Sequence, residues 1–277
     1  MLDPYHNYDP ENPTISKSEL DILNHSPARY KREIIEGKRR AATPAMIFGQ
    51  AFHCAILEPL EFEDHFAVLP DELDELNKNT KKYKDGVAEF KEANLTAGGQ
   101  PKDILTQADA RTLDAMAESV FAHPIAAELL SRVVHVEKAF RWRDQRLDVG
   151  LRCKPDFVTA DGIVGDLKTT RDRLDDWHAQ SAVKFRYDVQ QVHYSEGLKA
   201  NGIDVQDFLF VVIEKTAPHS CAVFGLTEED IDNAWTEWRM DLGTYAACLK
   251  SGEWPSAYAR QAEVIRRSLP TWRRNRY

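Results

Sequence analysis

The stretch from Gly162 to Thr170, GIVGDLKTT, constrains this chain more than any other. Ile163, Val164 and Leu167 make it a strand that should be largely buried. Asp166 and Lys168 are two residues apart, so both side chains leave the strand on the same face. A buried strand rarely carries such a pair without work for it, because ionised groups are costly away from water. The preceding segment, LDVGLRCKPDFVTA, reads as another strand, and Asp161-Gly162 between the two is a hairpin-type turn signal. The hairpin brings Asp156 beside Asp166. Two converging carboxylates repel unless a cation sits between them, and a hard divalent ion with oxygen ligands, Mg²⁺ or Mn²⁺, resolves the repulsion. A lysine beside that ion can help deprotonate an attacking water and stabilise a charged transition state. An ordinary surface hairpin also carries Asp and Lys, so the D-x-K spacing alone is weak.

The rest of the chain supplies a setting. Residues 1–14 read as an irregular, proline-containing arm. In ISKSELDILNHSPARYK, Ser16 or Ser18 can cap a helix, and Ser26-Pro27 marks a break and a second start. Residues 45–60 read as a buried amphipathic helix ending near Pro59, and 71–103 as an exposed stretch rich in Lys, Asp, Glu and Asn. Helical spacing returns over 104–132 with a break near Pro124. At 133 the character changes: VVHVEKAFRWR alternates as a strand, the hairpin follows, a helical stretch covers about 173–200, then come strands DFLFVVIEK and CAVFGL and a helix over 227–250. The order implies an α/β fold, a central mixed β-sheet flanked by helices with an N-terminal helical region packed on it. One domain over 15–277 is expected: a mainly helical part at 15–132, an α/β core at 133–250 and a basic tail at 251–277.

Composition narrows the function classes. The chain has 277 residues, 43% of them hydrophobic and 29% charged. It has no apolar run of about eighteen residues that would span a bilayer, and its acidic start, MLDPYHNYDPENPT, is not patterned as a secretory signal. Cys54, Cys153, Cys221 and Cys248 are far apart, which suits reduced thiols in a cytoplasmic protein better than a disulfide framework or a zinc or iron–sulfur site. The net charge of −9 argues against nucleic-acid binding if taken alone. Basic residues nevertheless gather at 28–40 and in the terminal RRSLPTWRRNRY, so a mostly acidic exterior with a local DNA groove is consistent with the pattern.

Pro155-Asp156 with Gly165-Asp166-Leu167-Lys168 resembles the PD-(D/E)xK signature. The surrounding chain resembles the RecE-type and lambda-exonuclease-type nucleases, relatives of the RecB nuclease domain. Gly49–His53 (GQAFH) is similar to their upstream G-x-x-x-H, and Gln190–Tyr194 (QQVHY) to their downstream Q-x-x-x-Y. ISKSELDILNHSPARYK and FHCAILEPLEF resemble their N-terminal helical element, so the match spans about 14–200.

The resemblance implies a restriction-endonuclease-like core and a Mg²⁺-dependent exodeoxyribonuclease, with Mn²⁺ able to substitute. It implies metal ligation by Asp156, Asp166, His53 and the Leu167 backbone carbonyl, with Glu137 as a further candidate whose alternative is a solvent-facing strand position. Read from residues alone, His53 is a satisfied helix histidine, and imidazole is softer than Mg²⁺ ordinarily takes. Lys168 is implied as catalytic. Gln190 and Tyr194 share a helical face, either contacting a phosphate or orienting Lys168, and Gln191 is one register off. Ser16, Ser18, Ser26 and Tyr30 are candidates for DNA-backbone contact, with helix capping an equal reading for the three serines. TWRRNRY has three: a basic tail, DNA contact or subunit docking. Further implied are 5′→3′ digestion of duplex DNA ends to leave a 3′ single strand, a toroidal homo-oligomer (trimer or tetramer), a single-strand annealing protein as partner, and a bacterial or phage-infected cytoplasm. Rival readings are a helicase-coupled or structure-specific nuclease of the same superfamily, and a non-catalytic DNA-binding scaffold.

Overall fold

The structure, a computed structural model, describes residues 5, 8–39, 41–256 and 263–268. Most of the terminal RRSLPTWRRNRY, including all of TWRRNRY, lies outside the described residues. The strands are β1 (Thr14–Ile15), β2 (Phe66–Val68), β3 (Asp103–Leu105), β4 (Val133–Val136), β5 (Phe140–Asp144), β6 (Val149–Cys153), β7 (Phe157–Thr159), β8 (Ile163–Thr170), β9 (Asp207–Glu214) and β10 (Cys221–Phe224). The longer helices are α1 (Lys17–His25), α2 (Pro44–Leu57), α3 (Lys81–Ala93), α4 (Gln107–Ala122), α5 (Pro124–Ser131), α6 (Tyr187–Ala200) and α7 (Glu228–Ser251).

The central sheet has the order β10-β9-β8-β7-β4. It is mixed: β8 and β9 are parallel, and the other neighbouring pairs are antiparallel. Strand alternation sorts its two faces. Leu167, Val211 and Ile213 pack with Phe52 of α2 and Leu113 of α4. Val164, Phe208, Phe210 and Val212 pack with Leu198 of α6. Asp166 and Lys168 share the parity of Val164, so they face α6. A second sheet, β1-β6-β5, forms a separate core with α1 and α7, including Leu20, Leu23, Trp238 and Leu242.

Local chemistry sets the helix ends. Ser16 caps α1, and Glu19 reaches back to its N–H to complete a capping box. Thr43 with Pro44, Thr106 with Asp109 and Thr227 with Asp230 open α2, α4 and α7. Gly252, at φ +70°, closes α7 in the left-handed conformation that an L side chain resists.

Two of the expected strands prove to be pairs. VVHVEKAFRWR divides into β4 and β5, which belong to different sheets. The break falls at Glu137, whose φ of +46° no extended strand tolerates. LDVGLRCKPDFVTA likewise divides into β6 and β7, with Lys154-Pro155-Asp156 as the corner. Alternation is blind to these transfers because each half keeps its own period. The exposed 71–103 stretch contains a regular element, α3, which buries none of its residues.

The turn at Asp161-Gly162 forms as expected, with Gly162 at φ +83° donating its N–H to the Thr159 carbonyl. Within β8, Gly165 faces the Phe157 ring, and an added Cβ would lie 1.8 Å from it. Any side chain there would push β7 off β8, an overpacking cost of about 1–3 kcal/mol. Gly165 therefore sets how closely the two aspartate-bearing segments approach.

Candidate active site

The Phe157–Gly165 and Val158–Val164 register carries Asp156 off the end of β7 beside β8. The Leu167 N–H donates to Asp156 Oδ2 at 2.7 Å. His53, on α2, reaches the same oxygen with Nδ1 at 3.4 Å. Glu137, thrown out of the strand by its positive φ, joins them: ligand atoms of His53, Glu137 and Asp156 all lie within 4.8 Å of one another. Lys154 pairs with the Glu137 carboxylate at 2.9 Å.

Asp166 is 1% exposed. Gln190 on α6 donates to its Oδ1, and the Lys168 ammonium lies against Oδ2. The Lys168 Nζ also sits 4.7 Å over the Tyr187 ring. All these groups open on one cleft of about 810 Å³ that also takes in Tyr194, Lys17, Ser16 and Ser18.

Electrostatics separate the acids. Burial, and then the neighbouring Asp156, push the Asp166 carboxyl up to about 6. Burial and Asp156 also raise Glu137. Burial works against ionised Asp156 too, but His53, Lys168 and the Leu167 N–H outweigh it and hold its pKa below the ordinary range. Burial would lower His53, yet the Asp156 carboxylate more than offsets it and His53 is raised. Burial likewise opposes the Lys168 charge, and Asp166 reverses the balance.

The donor set fits a divalent cation. It offers the Glu137 and Asp156 carboxylates clustered with the His53 imidazole, and the buried Asp166 carboxylate on the same cleft. The oxygens suit Mg²⁺ or Mn²⁺.

The sequence-expected residues His53, Glu137, Asp156, Asp166, Lys168, Gln190 and Tyr194 all line this cleft. Gln191, one register off, lines a different cavity. Leu167 contributes its N–H to Asp156 and buries its side chain in the core. Ser16 and Ser18 reach the cleft, Ser26 takes the capping alternative, and the burial of Tyr30 corrects its expected contact with a DNA backbone. Tyr30 is fully buried and stacked on Trp254 at 5.1 Å, and Ser26 accepts the Arg29 N–H as a cap. Gly49 of the G-x-x-x-H spacing borders the cleft, and an added Cβ there would meet nothing, so packing within the chain does not demand it.

Lys17, Lys154 and Tyr187 were missed. Tyr187 had a signal, since it lies three residues before Gln190 and so shares its helical face. Lys17 and Lys154 had none, because only the tertiary fold turns them toward the acids.

The fold and site together define a restriction-endonuclease-like α/β protein, and the comparisons with known proteins agree. Residues 16–268 match the family described as PDDEXK-like domain of unknown function (DUF3799), and the chain belongs to that family. Among curated proteins, none matches the sequence. A crystal structure of a protein from Eubacterium rectale, described as a candidate exonuclease, is similar over 100% of this chain and 98% of its own, at 13% identity and a TM-score of 0.62. A crystal structure of LHK-Exo in complex with dAMP overlaps 73% of this chain and 93% of its own, at 11% identity and a TM-score of 0.27, which adds nothing on the fold. Among the described residues no helix is long and apolar enough to cross a membrane.

Proposed function

We propose that the protein is a divalent-metal-dependent exodeoxyribonuclease that degrades linear double-stranded DNA. One observation carries the reading: Asp156, Asp166, Lys168 and His53 open on a single cleft, where ligand atoms of His53, Asp156 and Glu137 lie within 4.8 Å of one another. Family membership and the exonuclease designation of the Eubacterium rectale protein support it.

In this reading Asp156, Asp166, His53 and the Leu167 carbonyl hold Mg²⁺, or Mn²⁺ in its place, with Glu137 beside them. The ion, when bound, supplies positive charge to the phosphate and acidifies water. The chain's own residues do the rest. Lys168 presents an ammonium to the phosphate, where it meets the negative charge that grows during in-line displacement. Gln190 fixes the Asp166 carboxylate by its hydrogen bond. Tyr194, whose hydroxyl is kept protonated by burial, presents a neutral donor to the cleft.

The finer reading follows from the sequence resemblance: 5′→3′ digestion that leaves a 3′ single strand, a toroidal trimer or tetramer, and a single-strand annealing partner in a phage or prophage recombination system. The 15–277 span is taken as one nuclease domain. The test is digestion of linear and covalently closed plasmid with Mg²⁺ and with EDTA. Linear duplex is expected to vanish only with metal while the circle survives. Nicking or linearisation of the circle overturns the exonuclease reading, and no cleavage of either overturns the nuclease reading.

A further inference from the structure

Phe185 is a large apolar side chain held in the open. It is 46% exposed at the rim of the cleft that contains Asp156, Asp166 and Lys168. Phe121 and Trp235 are similarly exposed but do not line this cleft. An exposed aromatic ring alone needs no explanation. What calls for one here is how firmly its backbone is fixed.

The Phe185 N–H donates to the Ser181 carbonyl at 3.0 Å, and its own carbonyl accepts from the ammonium of Lys17, a lysine only 6% exposed. The next residue, Arg186, adopts φ +51°, an uncommon conformation for a residue with a side chain. Such strain persists only where surroundings over-determine it. Here Arg186 is gripped by Asp241 at 2.7 Å, Asp21 at 3.2 Å and Glu237 at 3.3 Å, from α1 and α7. The result is a rigid backbone that displays an unburied ring.

The ring is also aligned with the chemistry. It stacks on Tyr187 with centroids 5.8 Å apart and planes 28° apart, and Tyr187 is the ring under the Lys168 ammonium. Tyr187 stacks in turn on buried Trp177 at 5.7 Å. The column therefore runs from the core, past Lys168, to the cleft rim, and ends in Phe185. The exposed Lys184 holds its ammonium over the Phe185 ring, 5.2 Å from the centroid, on a flexible side chain that an incoming base can displace toward its own phosphate. A flat π surface next to a cation matches a nucleotide, with its stackable base and its phosphate.

We propose that Phe185 is a nucleobase-stacking platform that extends the Tyr187 column by one base at the mouth of the cleft. The assignment rests on the nuclease reading above. The ligand is an unpaired base of the DNA strand entering the site. Stacking is sequence-tolerant because every base has a π face, so the platform contributes affinity and position without base preference.

The test uses the full chain in Ca²⁺ with a single-stranded oligonucleotide carrying 2-aminopurine near its end, read by fluorescence quenching and anisotropy. Wild type is expected to bind and quench. Phe185→Ala should bind about five- to a hundredfold more weakly with quenching lost, and Phe185→Trp should restore both. Abasic nucleotides placed along the end should remove the difference between wild type and Phe185→Ala at one position. If wild type and Phe185→Ala bind and quench alike, the platform is overturned while the nuclease reading stands. If Phe185→Ala instead shifts the protein to a smaller assembly by light scattering with DNA affinity per subunit unchanged, the ring is a subunit contact and the platform is overturned. If wild type neither binds DNA nor digests linear duplex with Mg²⁺, both readings fall.

Discussion

Asp166 lies in mid-strand with one oxygen held by Gln190 and the other against Lys168, whereas Glu137 sits at a break between two strands, with Lys154 on one side and the ligand atoms of His53 and Asp156 near it. The first carboxylate is compensated within its own strand and the facing helix, in nearly complete burial. The second is compensated by groups from a corner and from α2, and it is part of a cluster that can close on a cation. Asp156 belongs to both halves, since one of its oxygens takes the Leu167 N–H from β8 and lies near His53. The difference suggests a division of labour: the β8 half fixes the charge that faces the phosphate, and the Glu137–His53 half tunes how tightly metal is held.

The largest effect expected from breaking this division lies at Asp166. Asp166→Ala should lower single-turnover digestion of linear duplex by on the order of 10³ or more while circular dichroism stays native. A variant with near wild-type rate would remove Asp166 from the site. Lys168→Ala comes next, at about two powers of ten in kcat, with DNA affinity in Ca²⁺ unchanged. Lys168→Arg should rescue poorly, because a planar guanidinium does not replace a compact ammonium. Weaker binding with an unchanged saturated rate would reassign Lys168 to phosphate positioning.

His53→Ala and Glu137→Gln probe the other half. Each should raise the Mn²⁺ concentration needed for half-maximal rate by about ten- to a hundredfold, the loss expected when one group of a metal site is removed, with most of the rate recovered at saturating metal. If the loss persists at saturation, these residues act on the chemistry rather than on metal retention.

The smallest effect is thermal. The Asp166 carboxyl is raised from its ordinary 3.8 to about 6, so in the metal-free protein its protonated form favours the fold. That contribution is complete below the unfolded value and is lost as pH rises through about 6. A bound cation competes with the proton, so metal should stabilise more at pH 8 than at pH 5. At tenfold excess over its dissociation constant the gain is about 1.4 kcal/mol, or a few degrees in Tm. Scanning calorimetry with Ca²⁺ at both pH values checks the sign, and a larger shift at pH 5 would contradict it.

The charge-bearing strand was legible because burial and ionisation conflict so sharply in GIVGDLKTT that few other arrangements reconcile them. The hairpin turn, the helix cap at Ser16 and the face shared by Gln190 and Tyr194 followed from local rules of turn and period. The splitting of two expected strands between sheets did not, because alternation survives a change of partner. Nor did the contacts of Lys17, the left-handed turn at Arg186 or the swing of Glu137 toward His53. Each of these depends on groups far away in the chain, and side-chain charge has no reach along a sequence, only across space. The sequence by itself determined which strand must carry the charges and which side chains share its face. Tertiary structure alone decided which distant groups balance those charges, because in a buried site the energy of an ion is set by what packs around it.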